Sequence, residues 1–288
     1  MAVVNTNIAA SLAQSSLMKN ERALGTAMEQ LSTGKKINSA GDNAAGLAIS
    51  TRMSSQIRGL DAAIRNANDA VSMVNTAEGA LDEITTMLQR MRELAVQAGT
   101  GTTAAADRTY LQSEFTALRT EIDRIADNTQ WNGRNILDGS AGASTGKSTV
   151  AFGIGQDGTA AQTLSTSFGN FNNTTGKLSG LASKVITGTT IASAITVAAA
   201  TVAEIDVVIG DVSAQRATFG AISNRLTHAV DNLTNVRTNS EASRSRILDT
   251  DYAAATSELA RTQIIQQAGT AMLAQANQLP QTVLALLQ

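Results

Sequence analysis

The chain has 288 residues, with 22 Lys and Arg against 24 Asp and Glu, a formal net charge of −2. That balance excludes the basic face of a nucleic-acid binder. The absence of cysteine excludes disulfides, thiolate metal sites and cysteine nucleophiles. With one proline, at position 280, nothing obliges a helix to break before the last turns of the chain.

The first element is predicted as a helix from about Asn5 to Leu31. The first eighteen residues of the sequence, up to Met18, carry no charged side chain. Leu17, Leu24, Met28 and Leu31 fit one seven-residue frame, as on a coiled-coil seam. A second helix is expected from about Asp42 to Gln97. Its seam runs Ile57, Leu60, Ile64, Ala67, Val71, Val74, Ala77, Leu81, Ile84, Leu88, Met91 and Ala95, with a change of phase between Val74 and Ala77. Gly59 and Gly79 weaken this helix by about 1 kcal/mol each without ending it. The turn Gly99-Thr-Gly-Thr-Thr leads to a third helix through Leu111, Phe115, Leu118, Ile122 and Ile125, closed by Asn132-Gly133.

From Asp138 to about Thr190 the composition shifts to Gly, Ser, Thr and Asn. Short strands are expected at Val150–Ile154 and Lys184–Thr187, giving a small β element in the middle of a helical chain. A fourth long helix carries Ile205, Val208, Val212, Gln215, Phe219, Ile222, Leu226, Ala229, Leu233 and Val236 in register. The last helix starts near Thr250 or Asp251, where Asp249 and Asp251 favour a helix N-terminus. Its uncharged stretch, Thr262 to Gln288, has a seam at Met272, Ala276, Leu279, Val283 and Leu286. The fold class is therefore mainly α, an elongated rod of long antiparallel coiled-coil helices with a small β-hairpin element in mid-chain. The second helix alone would span about 84 Å at roughly 1.5 Å per residue, against about 50 Å for a compact globule of this length.

The seams of the two ends are short for the number of residues they must order. The ends are expected to be poorly ordered in an isolated subunit and to fold when other subunits bury them. No cleaved secretory signal and no membrane span are readable.

Catalytic and cofactor motifs find little support. Gly153-Ile-Gly-Gln-Asp-Gly158 matches a dinucleotide fingerprint by letters but has no following helix, and reads as a turn. Ser144-Thr-Gly-Lys-Ser148 lacks the glycine a phosphate loop needs at position 141, which is alanine. His228, the single histidine, is expected to face solvent or a neighbour. No cofactor, metal site or enzymatic activity is expected. Asn172-Asn-Thr-Thr and Asn232-Leu-Thr match glycosylation sequons, a pattern short enough to recur by chance.

Several long blocks resemble one family. Leu31-Ser-Thr-Gly-Lys-Lys-Ile-Asn-Ser-Ala-Gly-Asp-Asn-Ala-Ala-Gly-Leu-Ala-Ile-Ser50 closely resembles the flagellin N-terminal signature. Gln89-Arg-Met-Arg-Glu-Leu-Ala-Val-Gln97 resembles the next flagellin block. Thr129-Gln-Trp-Asn-Gly133 is similar to its Thr-Gln-Phe-Asn-Gly turn. Ser245-Arg-Ile-Leu-Asp-Thr-Asp-Tyr252 and the block Gln266 to Gln281 resemble the C-terminal signature. The blocks fall in order over roughly residues 1–139 and 200–288.

The resemblance implies an extracellular filament subunit, exported unfolded through the flagellar type III apparatus and polymerised with copies of itself for swimming. A hook–filament junction protein is the alternative. It further implies an inner coiled-coil domain from residues 1–44 and 244–288, a second helical domain from 45–139 and 191–243, and a β excursion over 140–190. Leu24, Met28, Leu31, Met272, Ala276, Leu279, Val283 and Leu286 would form the assembly seams. Implied partners are an export chaperone and the hook-associated and cap proteins. Arg90, Leu94 and Glu114 would share an outward surface. Two occupants stay open for it: the neighbouring subunit along the filament, or the Toll-like receptor that senses flagellins.

Overall fold

A computed structural model describes residues 7–142, 148–156, 159, 162–172, 176–188 and 190–285, with side chains described to residue 278. Five long helices dominate the described residues: α1 (Ile8–Thr33), α2 (Ala44–Ala98), α3 (Ala105–Asn128), α4 (Ile191–Leu248) and α5 (Tyr252–Ala285). Two antiparallel strand pairs accompany them. Strands β1 (Gln130–Trp131) and β2 (Arg134–Asn135) form one, β3 (Thr149–Gly153) and β4 (Thr163–Ser167) the other. The chain divides into two compact units, Met1–Ile57 with Thr238–Gln288, and Arg58–Arg237.

Local chemistry sets the helix ends. The Asn7 side chain accepts from the Ala10 amide at 3.0 Å and opens α1. Gly34, at φ 69°, closes it in the left-handed conformation and donates to the Gln30 carbonyl. Asn43 accepts from the Gly46 amide at 2.8 Å and opens α2. The end of α2 is capped from a distance: the buried Arg108 guanidinium donates to the Ala98 and Thr100 carbonyls at 3.2 and 3.3 Å. Asp251, as expected, caps α5, accepting from the Ala253 amide at 2.9 Å. Between β1 and β2, Asn132 and Gly133 both take positive φ, 49° and 75°, the signature of a type I′ hairpin.

In the Arg58–Arg237 unit the core joins the α2 seam to Phe115 and Ile122 of α3 and to Ile205, Val208, Val212, Phe219, Ile222 and Leu226 of α4. Two features of the predicted α2 seam change. Ala63 and Ala70 are buried where Ile64 and Val71 are half-buried. The change of phase therefore falls near Leu60–Ala63 rather than at Val74–Ala77, because small alanines let neighbouring chain approach. Gly59 shows this directly: a Cβ there would lie 2.7 Å from the Gln156 carbonyl oxygen. Close by, Asn66 donates to the Gly153 carbonyl at 3.2 Å. The stretch Gly153–Gln156 is thus a connection packed along α2; Asp157 and Gly158 lie outside the described residues, as do Ser144–Lys147 and Asn173–Thr175 of the other motifs.

The predicted strand at Val150–Ile154 corresponds to β3, but its partner is β4, not Lys184–Thr187. That segment is irregular. Its groups are engaged by helices instead: the Ile186 amide donates to Gln112 Oε1 at 2.6 Å, and Thr201 Oγ1 donates to the Val185 carbonyl at 3.1 Å. The β4 sequence Thr-Leu-Ser-Thr-Ser buries Leu164 and Thr166 on one face. Gln215 Nε2 donates to the Ser167 carbonyl at 2.8 Å, and Phe168 tilts onto Phe219 with ring centroids 5.1 Å apart.

The N-terminal half of α4 has a stretch of mean hydropathy 1.8, as long and apolar as a membrane span. Its Ala194, Ala198, Thr201, Ile205 and Val208 form one buried stripe, while Ile191, Ile195 and Val207 on the same helix are exposed.

Candidate assembly surface

In the unit that holds the chain ends, α1 and α5 pack antiparallel. Asn7 Nδ2 donates to the Ala276 carbonyl at 2.8 Å across 269 residues of sequence. Asn20 Nδ2 donates to the Thr262 carbonyl, also at 2.8 Å, and is buried. A Cβ on Gly269 would lie 3.0 Å from Leu17. The α5 side of this contact repeats every seven residues in small side chains: Ala255, Thr262, Gly269 and Ala276. Small residues bring the helix axes close, and a buried asparagine fixes which turns face each other.

Within one subunit the expected assembly-seam residues divide between the α1–α5 contact and the outside. Leu24 and Leu31 are half-buried, and Ala276 is buried. Met28 and Met272 are exposed. Met272 stands at the edge of the pairing and lines the recess there with Leu17 and Gly269, while Leu273 is half-buried. The side chains of Leu279, Val283 and Leu286 lie outside the described residues.

Apolar side chains also point away from this pairing. Ile8, Leu12 and Ile264 are about two-thirds exposed. The stretch Ile8–Met18 carries no charge, so α1 has apolar side chains on more than one face, the pattern of a helix buried on several sides. Between α1 and α5 an apolar recess of about 170 Å³ opens among Ala13, Ser16, Leu17, Ile265, Gly269 and Met272.

A second region lies on α2 and α3. Arg90 Nε donates to Glu114 Oε1 at 2.9 Å and its Nη1 to Glu93 at 3.0 Å. These bonds, with Glu93 first, push the guanidinium further into its protonated range. Arg92 grips Asp206 of α4 with contacts of 2.7 and 3.4 Å. At about 100° per residue, the two arginines flank a broad arc of α2 that holds Leu88, Met91, Leu94, Ala95 and Ala98. All five are buried, Leu94 at 1% exposure. The expectation that Leu94 shares an outward face with Arg90 is therefore corrected. The helix is covered on two sides, so residues flanking a single seam are also enclosed. Arg90 and Glu114 remain at the surface, paired with each other. His228 is exposed, as expected.

Long helices with small-residue seams, and apolar faces left uncovered at the chain ends, define a self-associating helical protein. Residues 4–142 match the bacterial flagellin N-terminal helical region and residues 202–287 the C-terminal helical region. A flagellin of Halalkalibacterium halodurans is 42% identical over 286 residues, spanning 99% of this chain and 100% of that protein. One of Bacillus subtilis is 42% identical over 304 residues, with 99% of both chains covered. A putative flagellar hook-associated protein from Vibrio parahaemolyticus shares the fold, with a TM-score of 0.60 over 72% of this chain and 100% of that one, at 13% identity. The chain belongs to the bacterial flagellin family and is a structural subunit of the flagellar filament, an extracellular polymer of copies of itself.

Proposed function

We propose that the subunit joins the filament by burying the outward apolar faces of α1 and α5 against the same helices of neighbouring copies. The observation that carries this reading is the exposure of Ile8, Leu12, Ile264 and Met272 on helices whose other faces are already paired. On this reading residues 1–44 and 244–288 are the inner coiled-coil domain, and 45–139 with 191–243 the surrounding one. The order of α1 and α5 is completed on assembly, because the α1–α5 seam of alanine, glycine and threonine offers little apolar area by itself.

The test is elongation from short filament seeds. An Ile264→Asp subunit should keep its helical content by circular dichroism. A carboxylate forced into an apolar contact costs at least about 3 kcal/mol, so the concentration needed for elongation should rise about a hundredfold. Normal elongation by this variant would refute the buried face.

A second contact between subunits is proposed at Arg90, Glu93 and Glu114, where a guanidinium and two carboxylates stand together at the surface of α2 and α3. The same group is the proposed site for a flagellin-sensing receptor, now without Leu94 as a direct contact. A Glu114→Ala protein should lose receptor signalling or filament stability; retention of both would remove the site. The uncharged, cysteine-free C-terminal stretch is the proposed segment for an export chaperone, testable by pull-down with a chain ending at residue 250.

A further inference from the structure

Methionine supplies all the sulfur in this chain, eight residues with no cysteine. Of the seven methionines among the described residues, three are exposed, two are buried, and Met53 and Met87 on α2 are half-buried. Met18, Met28 and Met272 are 53%, 55% and 65% exposed, and all three lie on α1 or α5. Met73 and Met91, on α2, are 5% and 0% exposed in the core of the other unit. Met272 also lines the recess between α1 and α5, whose other walls are aliphatic apart from the Ser16 hydroxyl.

We propose that Met18, Met28 and Met272 are a modification site for hydroperoxides, and that their oxidation bars a free subunit from the filament. This rests on the proposed burial of the α1 and α5 faces. The chemistry is a two-electron oxygen transfer. A thioether lone pair attacks one peroxide oxygen and an S–O bond forms as the O–O bond breaks. The proton on the transferred oxygen passes to the leaving oxygen, so methionine becomes the sulfoxide and hydrogen peroxide becomes water. With no thiol in the chain to react first, the three exposed thioethers are the most accessible sulfur among the described residues, ahead of half-buried Met53 and Met87.

The product turns a pliable apolar side chain into one with a strong acceptor oxygen. In the free subunit water satisfies that oxygen, and α1 and α5 keep the pairing made by Asn7, Asn20 and Gly269, none of which contains sulfur. In an assembled face the oxygen would be buried without a donor, a cost borne by the polymer alone. Oxidation therefore acts as a sorting step: damaged subunits remain folded and soluble, while subunits already in place are shielded by their neighbours.

The experiment treats full-length subunits with hydrogen peroxide, maps oxygen addition by peptide mass, and measures seeded elongation. Met18, Met28 and Met272 should react at least about tenfold faster than Met73 and Met91, as their exposure requires. Subunits oxidised at the three sites should elongate seeds poorly and recover after methionine sulfoxide reductase treatment. A triple variant, Met18→Leu, Met28→Leu and Met272→Leu, is compared with itself before and after treatment, and peroxide should leave its own elongation rate unchanged. If the three sites are protected in filaments yet oxidised subunits elongate like untreated ones, the oxidation proposal fails alone. It also fails alone if the leucine variant loses elongation to peroxide as fully as the native chain. If the three methionines react as fast in filaments as in free subunits, the buried face fails and this proposal with it.

Discussion

Asn20 shows how one polar side chain can matter more for where helices meet than for how strongly. Its amide reaches the Thr262 carbonyl inside a seam that is otherwise small and apolar. Replacing it with alanine should cost about 1 kcal/mol. The larger effect expected is loss of a fixed register, seen as faster amide exchange along α1 with little change in the Arg58–Arg237 core. Asp42 makes a different kind of contribution. The Ser39 and Asn38 amides donate to its carboxylate, at 2.9 and 3.0 Å, and hold it below the usual carboxylate range. A carboxyl whose pKa is depressed on folding stabilises the fold above its unfolded value, and that contribution fades as pH falls through the folded one. The loop before α2 should therefore loosen in acid, below about pH 4, with faster exchange at Ser39 and Asn38. An Asp42→Asn subunit should show no such acid step.

At the scale of elements, two glycines in α2 that look alike in sequence have opposite roles. Gly59 faces the Gln156 carbonyl, whereas a Cβ on Gly79 would meet nothing within 4 Å. Gly79→Ala should stabilise the protein by about 1 kcal/mol through helix propensity. Gly59→Ala gains the same propensity but forces the connection after β3 off the helix, so its melting temperature should fall. The helices themselves are legible in the sequence because long apolar stripes at 3.6-residue spacing leave little choice of structure. The hairpin at Asn132-Gly133 is legible for its turn chemistry. The β3 partner is not. Thr-Leu-Ser-Thr-Ser has too few large apolar residues to announce a strand, while Lys184–Thr187 has the β-branched residues of one and spends them packing against α3 and α4. The candidate surface is legible in its residue types and less so in its orientation. Leu94 reads as outward when α2 is given one seam, whereas the helix has neighbours on two sides. The closeness of the α1–α5 contact is not legible, because nothing in the sequence says that glycine and alanine take the centre of it.

At the scale of the whole molecule, the apolar core and the outward apolar faces are in different units. The Arg58–Arg237 unit contains the continuous core, from Ala67 to Leu226. A fragment of residues 58–237 should melt cooperatively and stay monomeric, and it should fail to add to filament seeds. Elongation by that fragment would move the assembly surface away from α1 and α5. This division suits a subunit that must be stable in one part before its neighbours complete the other. The family relationship adds that the subunit polymerises with copies of itself, so the two sides of such a contact can both come from this sequence.

The linkers beside α1 and α5 are pinned to each other. The Lys36 amide donates to the Leu248 carbonyl at 2.7 Å, the Thr250 amide donates to the Gly34 carbonyl at 3.0 Å, and Lys35 pairs with Asp249 in antiparallel fashion. One strand of this clasp follows α1 and the other precedes α5, more than 200 residues later in the sequence. A chain that stops early has nothing to close it with, however well its middle has folded. The clasp is therefore a set of backbone hydrogen bonds that only a chain reaching Thr250 can complete.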